Sequence, residues 1–245
     1  MSLYADTVFA PLDLDLHLER IAGGNETEVY RTDDARFVVK LKNQAEQSSR
    51  AAIRKAKELQ AVANQLAETV GTAHSIPNYY FIARNSAGQI QTVAVQPYLD
   101  SARQLFEVDY AALNRTERRE IARQLRLIIA QALKMYQQAG CMPDLYGRTN
   151  GSQAERQRNN APHMLPKRLW SFMVKRNLLR SHNLMLKHDQ GPKVMLVDYD
   201  PVERSKLYLL VYYTARRLLF LRDMVLIWLM EKWGYVPGAY RAEAT

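Results

Sequence analysis

The order in which strand patterns and helix patterns follow one another constrains this chain most. Residues 16 to 42 read as a small antiparallel unit: "LHLERIA" leads into Gly23 and Gly24, then "EVYRT", a polar turn "DDAR", and "FVVKLK". A helix follows over residues 45 to 70, with Leu59, Val62, Ala63, Leu66 and Val70 on one stripe and Gly71 just past its end. "YYFIAR", the turn "NSAG" and "IQTVAVQPYL" make a second hairpin. Then the texture changes. A long helix starts near Thr116, read as its N-cap with Glu117 and Glu120 in the first turn, and stops at Gly140. Ile121, Leu125, Ile128, Ile129 and Ala132 share one of its faces. "NLMLK", the turn "HDQGP" and "KVMLV" form a third hairpin, and the remainder reads as helical. The expected class is α+β. A sheet-rich domain over residues 1–100 precedes a mostly helical one over residues 101–245.

With 245 residues, 47% apolar and 24% charged, the chain can bury a substantial core, which excludes wholesale disorder. Its single cysteine, Cys141, cannot form an internal disulfide and fits a reducing, cytoplasmic setting. The start of the chain has neither a basic cluster nor a continuous apolar stretch, so no secretory leader is expected. Arg216, Arg217, Arg222 and Asp223 interrupt the C-terminal run "LYLLVYYTARRLLFLRDMVLIWLMEKW", and no piece approaches the roughly 20 apolar residues of a membrane span. Buried helices are the expectation, with a membrane-surface segment as the second reading. The net charge is +9, and it is unevenly spread. Between Arg148 and Arg180 eight cations face Glu155 alone.

Five short stretches carry candidate chemistry. "IAGGNETEVY" joins the first two strands through Gly23 and Gly24. "FVVKLK" sets Lys40 behind three apolar strand residues, and Glu58 lies at the border of the apolar stripe of the next helix, beside Val62. "GCMPDLYG" follows the long helix and carries Asp144. "NLML" opens the third hairpin on Asn183, and "KVMLVDYD" ends it on Asp198 and Asp200. By themselves the two aspartates read either as a turn before Pro201 or as carboxylates held for a metal at a strand end. Phosphoryl transfer needs a phosphate cradle, a cation on the phosphates, oxygen ligands for magnesium and a base beside the attacking hydroxyl. In this order the motifs resemble the protein-kinase-like superfamily, closer to its compact small-molecule and bacterial branches than to eukaryotic protein kinases. The resemblance covers residues 16 to 200.

The resemblance implies a two-lobed fold that binds ATP and Mg²⁺ and moves phosphate to a hydroxyl. Against G-x-G-x-x-G-x-V only the middle glycine, Gly24, survives, with Ala22 and Thr27 in the other places and Gly23 beside it. Lys40 would hold the phosphates and Glu58 would turn inward to pair with it. Asp144 would be the base, with Met142 and Pro143 standing where the family has His and Arg. Asn150 does not begin a strand, so Asn183 is taken as the metal-binding asparagine and Asp198 as the metal aspartate. Asp200 stands where the family has glycine and is either a further ligand or a turn residue. The basic segment then becomes an insertion over residues 148 to 182 between base and asparagine. No A-P-E motif follows, so regulation by loop phosphorylation is not expected.

Three functions are consistent with these readings. The first is an ATP:Mg-dependent phosphotransferase. Arg148, Arg156, Arg158, Lys167 and Arg168 would line its acceptor site and favour an anionic small molecule, lipid or glycan. The second is a pseudokinase that keeps the fold as an interaction module. The third is a nucleic-acid-binding protein whose basic segment tracks phosphates, although only Trp170 and Phe172 supply aromatics there.

Overall fold

The computed structural model describes residues 18–23, 27–42, 46–84, 88, 90–147, 176–189, 191–198 and 205–236. The chain divides into two compact units. One holds the described residues up to Gln65 together with Ile76–Asp100; the other holds Leu66–Ser75 and the described residues from Ser101 onward.

In the first unit β1 (Leu18–Gly23), β2 (Thr27–Thr32), β3 (Phe37–Lys42), β4 (Tyr79–Arg84) and β5 (Ile90–Pro97) form one antiparallel sheet, ordered β1-β2-β3-β5-β4. The β2–β3 turn forms because Asp34 folds back on the chain: its Oδ1 accepts from the Arg36 amide (3.0 Å) and from Thr32 Oγ1 (2.6 Å). β5 lies between β3 and β4 and is buried continuously from Thr92 to Gln96, with the apolar Val93, Ala94 and Val95 at its centre. Val39, Val93 and Val95 make the core of this sheet, with Tyr30, Leu41 and Phe81 packed on it.

Helix α1 (Ser49–Val70) is capped by Ser48, whose Oγ accepts from the Ala51 amide at 3.2 Å. It buries Ala52, Ala56, Leu59, Ala63, Leu66 and Val70, at alternating spacings of four and three. Gln60 ties the helix to the start of β4, accepting from the Tyr80 amide (3.1 Å) and donating to the Asn78 carbonyl (2.8 Å).

In the second unit β6 (Arg103–Gln104), β7 (Leu184–His188) and β8 (Pro192–Leu196) pair antiparallel in that order. The turn after α1 docks on β8, where the Leu196 amide donates to the His74 carbonyl at 2.8 Å. His74 Nδ1 faces the Val194 carbonyl at 3.0 Å; a carbonyl only accepts, so this nitrogen carries the proton. Helix α2 (Arg115–Ala139) packs against β8 and sends Gln124 into its backbone: Gln124 accepts from the Val194 amide and donates to the Pro192 carbonyl, both at 2.7 Å. The N-cap of α2 is Asn114 and not Thr116. Asn114 Oδ1 accepts from the Glu117 amide while the Glu117 carboxylate accepts from the Asn114 amide, a reciprocal capping box. Gly140 ends the helix at φ 67°.

Helix α3 (Lys206–Trp233) corrects the reading of the C-terminal run as buried helices. It is one helix, buried along Tyr213, Arg216, Phe220, Asp223, Ile227 and Met230 and exposed on the other side, where Leu207 remains 72% accessible.

Candidate active site

Asp144 follows α2 by four residues past its Gly140 cap, in a turn that its own side chain organises. Asp144 Oδ1 accepts from the Tyr146 amide at 3.1 Å, which fixes the carboxylate against the backbone two residues on. The turn is laid alongside residues 181–183 by three hydrogen bonds. Ser181 Oγ donates to the Leu145 carbonyl (2.6 Å), the His182 amide to the Tyr146 carbonyl (2.9 Å), and Asn183 Nδ2 to the Asp144 carbonyl (2.7 Å). Ser181, fully buried, also accepts from the Asn183 and Leu184 amides at 3.0 Å each, so one hydroxyl serves both segments. Residues 144–146 are thereby adjacent to residues 181–183.

Asn183 stands at the centre. Its Nδ2 also donates to Asp198 Oδ2 at 3.2 Å, and the Val197 amide donates to the Asn183 carbonyl at 3.0 Å. Both side-chain neighbours of Nδ2 are pure acceptors, a carbonyl and a carboxylate, so the amide orientation is dictated by chemistry and Oδ1 points the other way. Oδ1 is directed at Gly147, where a Cβ would come within 2.1 Å of it. Gly147 has φ 64°, so two constraints demand glycine there.

The donor types suit a hard divalent cation, with Nδ2 and not Oδ1 of Asn183 facing Asp198 in this structure. The Asn183 amide oxygen and the Asp198 carboxylate are neutral and anionic oxygen ligands, respectively, on a rigid hairpin. Among the described residues no group of three or more His, Cys, Asp or Glu converges. Such a sparse protein shell suits Mg²⁺, which keeps waters and takes phosphate oxygens as its other ligands.

Asp144 is held from a second side by α3. Arg216 Nη2 donates to Asp144 Oδ1 at 3.2 Å, with the Arg216 side chain only 5% exposed and that of Asp144 28%. The guanidinium lies over the Tyr146 ring at 4.0 Å and the Tyr212 ring at 4.9 Å, so the charge is desolvated between two π faces and one carboxylate. The Tyr146 hydroxyl donates in turn to Asp223 Oδ2 at 2.5 Å, and Arg222 donates to Asp223 Oδ1 at 3.0 and 2.7 Å. Burial, reinforced by the Asp223 carboxylate, pushes the Tyr146 hydroxyl well above the ordinary tyrosine range. Burial also pushes the Asp223 carboxyl up, against the opposing pull of Arg222 and Tyr146. None of these three residues was singled out as functional from the sequence. Arg216 and Asp223 read there as interruptions of an apolar run, yet a buried-side spacing of Arg216, Phe220 and Asp223 on one helix was the available signal.

Of the residues expected at a site, Asp144, Asn183 and Asp198 are brought together. Lys40 belongs to the first unit, on β3, paired across the sheet with Val29 and Ala94. Gly23 ends β1 opposite Glu28. The inward turn expected of Glu58 is corrected. Glu58 is exposed, about 100° round the helix from buried Leu59, and has no hydrogen bond or ion pair among the described residues. Gly24, Asn150, Asp200, Arg148, Arg156, Arg158, Lys167 and Arg168 lie outside the described residues.

The fold is mixed α+β, an antiparallel N-terminal sheet followed by helices. Among solved structures it is similar to the GDP complex of wild-type aminoglycoside 2'-phosphotransferase-IIIa, at 14% identity over 92% of this chain and 81% of that one, with TM-score 0.44. It is also similar to spectinomycin phosphotransferase in complex with ADP and spectinomycin, at 13% identity over 81% of this chain and 69% of that one, with TM-score 0.38. No family model and no curated protein matches the sequence. At such TM-scores and identities the likeness assigns no residue a role; the chemistry rests on the constellation itself.

Proposed function

We propose that this protein is an ATP- and Mg²⁺-dependent phosphotransferase that acts on a hydroxyl. One observation carries the reading: a single amide, Asn183 Nδ2, spans the Asp144 carbonyl and the Asp198 carboxylate. It joins the candidate base to the candidate metal ligands in one rigid group.

In this reading Asp198 holds the cation, Asn183 Oδ1 joins it once Nδ2 releases the Asp198 carboxylate, and Lys40 steadies the nucleotide phosphates. Mg²⁺, when bound, supplies positive charge to the phosphate oxygens as the terminal phosphoryl group transfers. Asp144 orients the acceptor hydroxyl and takes its proton as that oxygen's electron pair forms the new P–O bond; the bond from the terminal phosphorus to the bridging oxygen breaks, and the nucleoside diphosphate leaves with that electron pair. The Tyr146 amide and Arg216 hold that carboxylate in place. Arg148, Arg156, Arg158, Lys167 and Arg168 are proposed to border the acceptor and to favour an anionic one.

The Arg216–Asp144 ion pair favours a second reading, nucleotide binding without turnover, because a carboxylate engaged by a guanidinium is less available to a hydroxyl proton. A coupled assay of nucleoside diphosphate release separates the two. ATP and GTP are offered in parallel. Mg²⁺-dependent release that falls in Asp144→Asn supports the transferase. Binding with no release above the variant's level supports the interaction module.

A further inference from the structure

Along α3, Leu207, Val211, Leu218, Leu221, Val225 and Trp228 form a line opposite the buried side of the helix. Their spacings combine threes and fours, and Thr214 is the polar member of the same line. All six are exposed, Leu221 at 67% and Leu218 at 64%. A continuous apolar band of this length on a protein surface marks an interaction site.

Charge decides what it fits. Lys206, Arg217 and Lys232 are exposed on α3. Its only two acids are withdrawn: Asp223 is fully buried, and Glu231 is paired with Arg126 at 2.6 Å. Trp228 and Trp233, both exposed and edge-to-face at 5.1 Å, sit towards the end of the band. Such amphipathic rings favour the membrane–water boundary. The spacing would also suit a coiled coil with a second copy. The exposed Arg217 then flanks the seam while both acids of α3 are engaged within the chain, Asp223 by Arg222 and Glu231 by Arg126, so self-pairing of this helix sets cation against cation.

We propose that this face of α3 lies on an anionic membrane surface, with its apolar line in the headgroup boundary and its cations on lipid phosphates. Among the described residues no helix is long and apolar enough to cross a membrane, so the contact is peripheral.

The test is sedimentation of the full chain with vesicles of phosphatidylcholine alone and of an equal mixture of phosphatidylcholine and phosphatidylglycerol. The mixed vesicles should bind roughly tenfold more tightly or better, with a blue shift of tryptophan emission and a loss of binding as salt is raised. Leu218→Glu with Leu221→Glu should abolish binding without lowering Tm, because both side chains are exposed. If that variant is unstable, Trp228→Ser should still weaken binding and reduce the emission shift. Equal binding to both vesicle types, no binding to either, or full binding by both variants overturns the proposal. So does a dimer, seen by equilibrium sedimentation, that the same substitutions dissociate.

Discussion

Asn183 Nδ2 donates to the Asp144 carbonyl at 2.7 Å although residues 145–182 separate the two in sequence. A segment that long imposes no distance on its ends. Their proximity is set by the hydrogen bonds of residues 144–146 with residues 181–183. The candidate base therefore moves with the candidate metal ligand, and each can be perturbed while the other is watched.

Asp144→Asn preserves the shape of the side chain and an oxygen for the Tyr146 amide, but removes the charge. Turnover is expected to fall by about 10² to 10⁴, with nucleotide affinity nearly unchanged, because help from a base is felt in the transition state. Steady-state kinetics beside equilibrium nucleotide binding check this. Full activity would place the base elsewhere.

Gly147→Ala is expected to remove Mg²⁺-dependent nucleotide binding, since the new methyl takes the place of Asn183 Oδ1. Gly71→Ala is the control. Its φ of 87° imposes comparable backbone strain, of about 1–2 kcal/mol, but nothing lies within 4 Å of the added carbon. Both variants should lose stability in thermal melts, and only the first should lose the metal-dependent signal.

Tyr146→Phe keeps the ring beneath Arg216 and removes the donor to buried Asp223. Leaving that carboxylate short of a partner should cost about 1–3 kcal/mol, read as a lower denaturation midpoint at unchanged m-value. An unchanged midpoint would mean that Arg222 and the Leu178 backbone satisfy Asp223 without the tyrosine.

Much of the architecture was legible in local patterns. The strand stretches, the "DDAR" turn and the glycines after α1 and α2 act within a few residues, and each stood close to where expected. The α2 cap moved from Thr116 to Asn114 because the decisive signal was the reciprocal pair with Glu117, three residues on, and not the hydroxyl nearest the stripe. Glu58 was misread because it borders half-buried Val62, whereas the deeply buried line runs through Ala56, Leu59 and Ala63 and turns Glu58 to water. The pairing of Asn183 with Asp198 could be read because both sit on one hairpin. The Arg216 contact with Asp144 spans 72 residues, and no local pattern encodes it.

The acid limb of stability should register Glu120. Two hydrogen bonds from Arg123 lower its carboxyl from the ordinary 4.5 to about 2, helped by Gln124. A depressed carboxylate contributes stability that is complete above its unfolded value and is lost as pH falls through its folded value. Glu120→Gln should therefore lower Tm slightly at neutral pH, where the contribution is fully present, and flatten the fall of Tm between pH 4.5 and about 2, so that the two proteins converge in acid. The change is small, since the pair is largely exposed. An identical acid limb in both proteins contradicts the assignment.

The most direct measurement is calorimetric titration of ATP into the wild-type chain and into Asp198→Asn, each with and without Mg²⁺. The expected result is binding that strengthens with Mg²⁺ in the wild type by roughly tenfold or more and loses that dependence in the variant, while metal-free binding stays the same. Nucleotide binding indifferent to Mg²⁺, or a Mg²⁺ response that survives in Asp198→Asn, would contradict a metal-assisted site at Asn183 and Asp198.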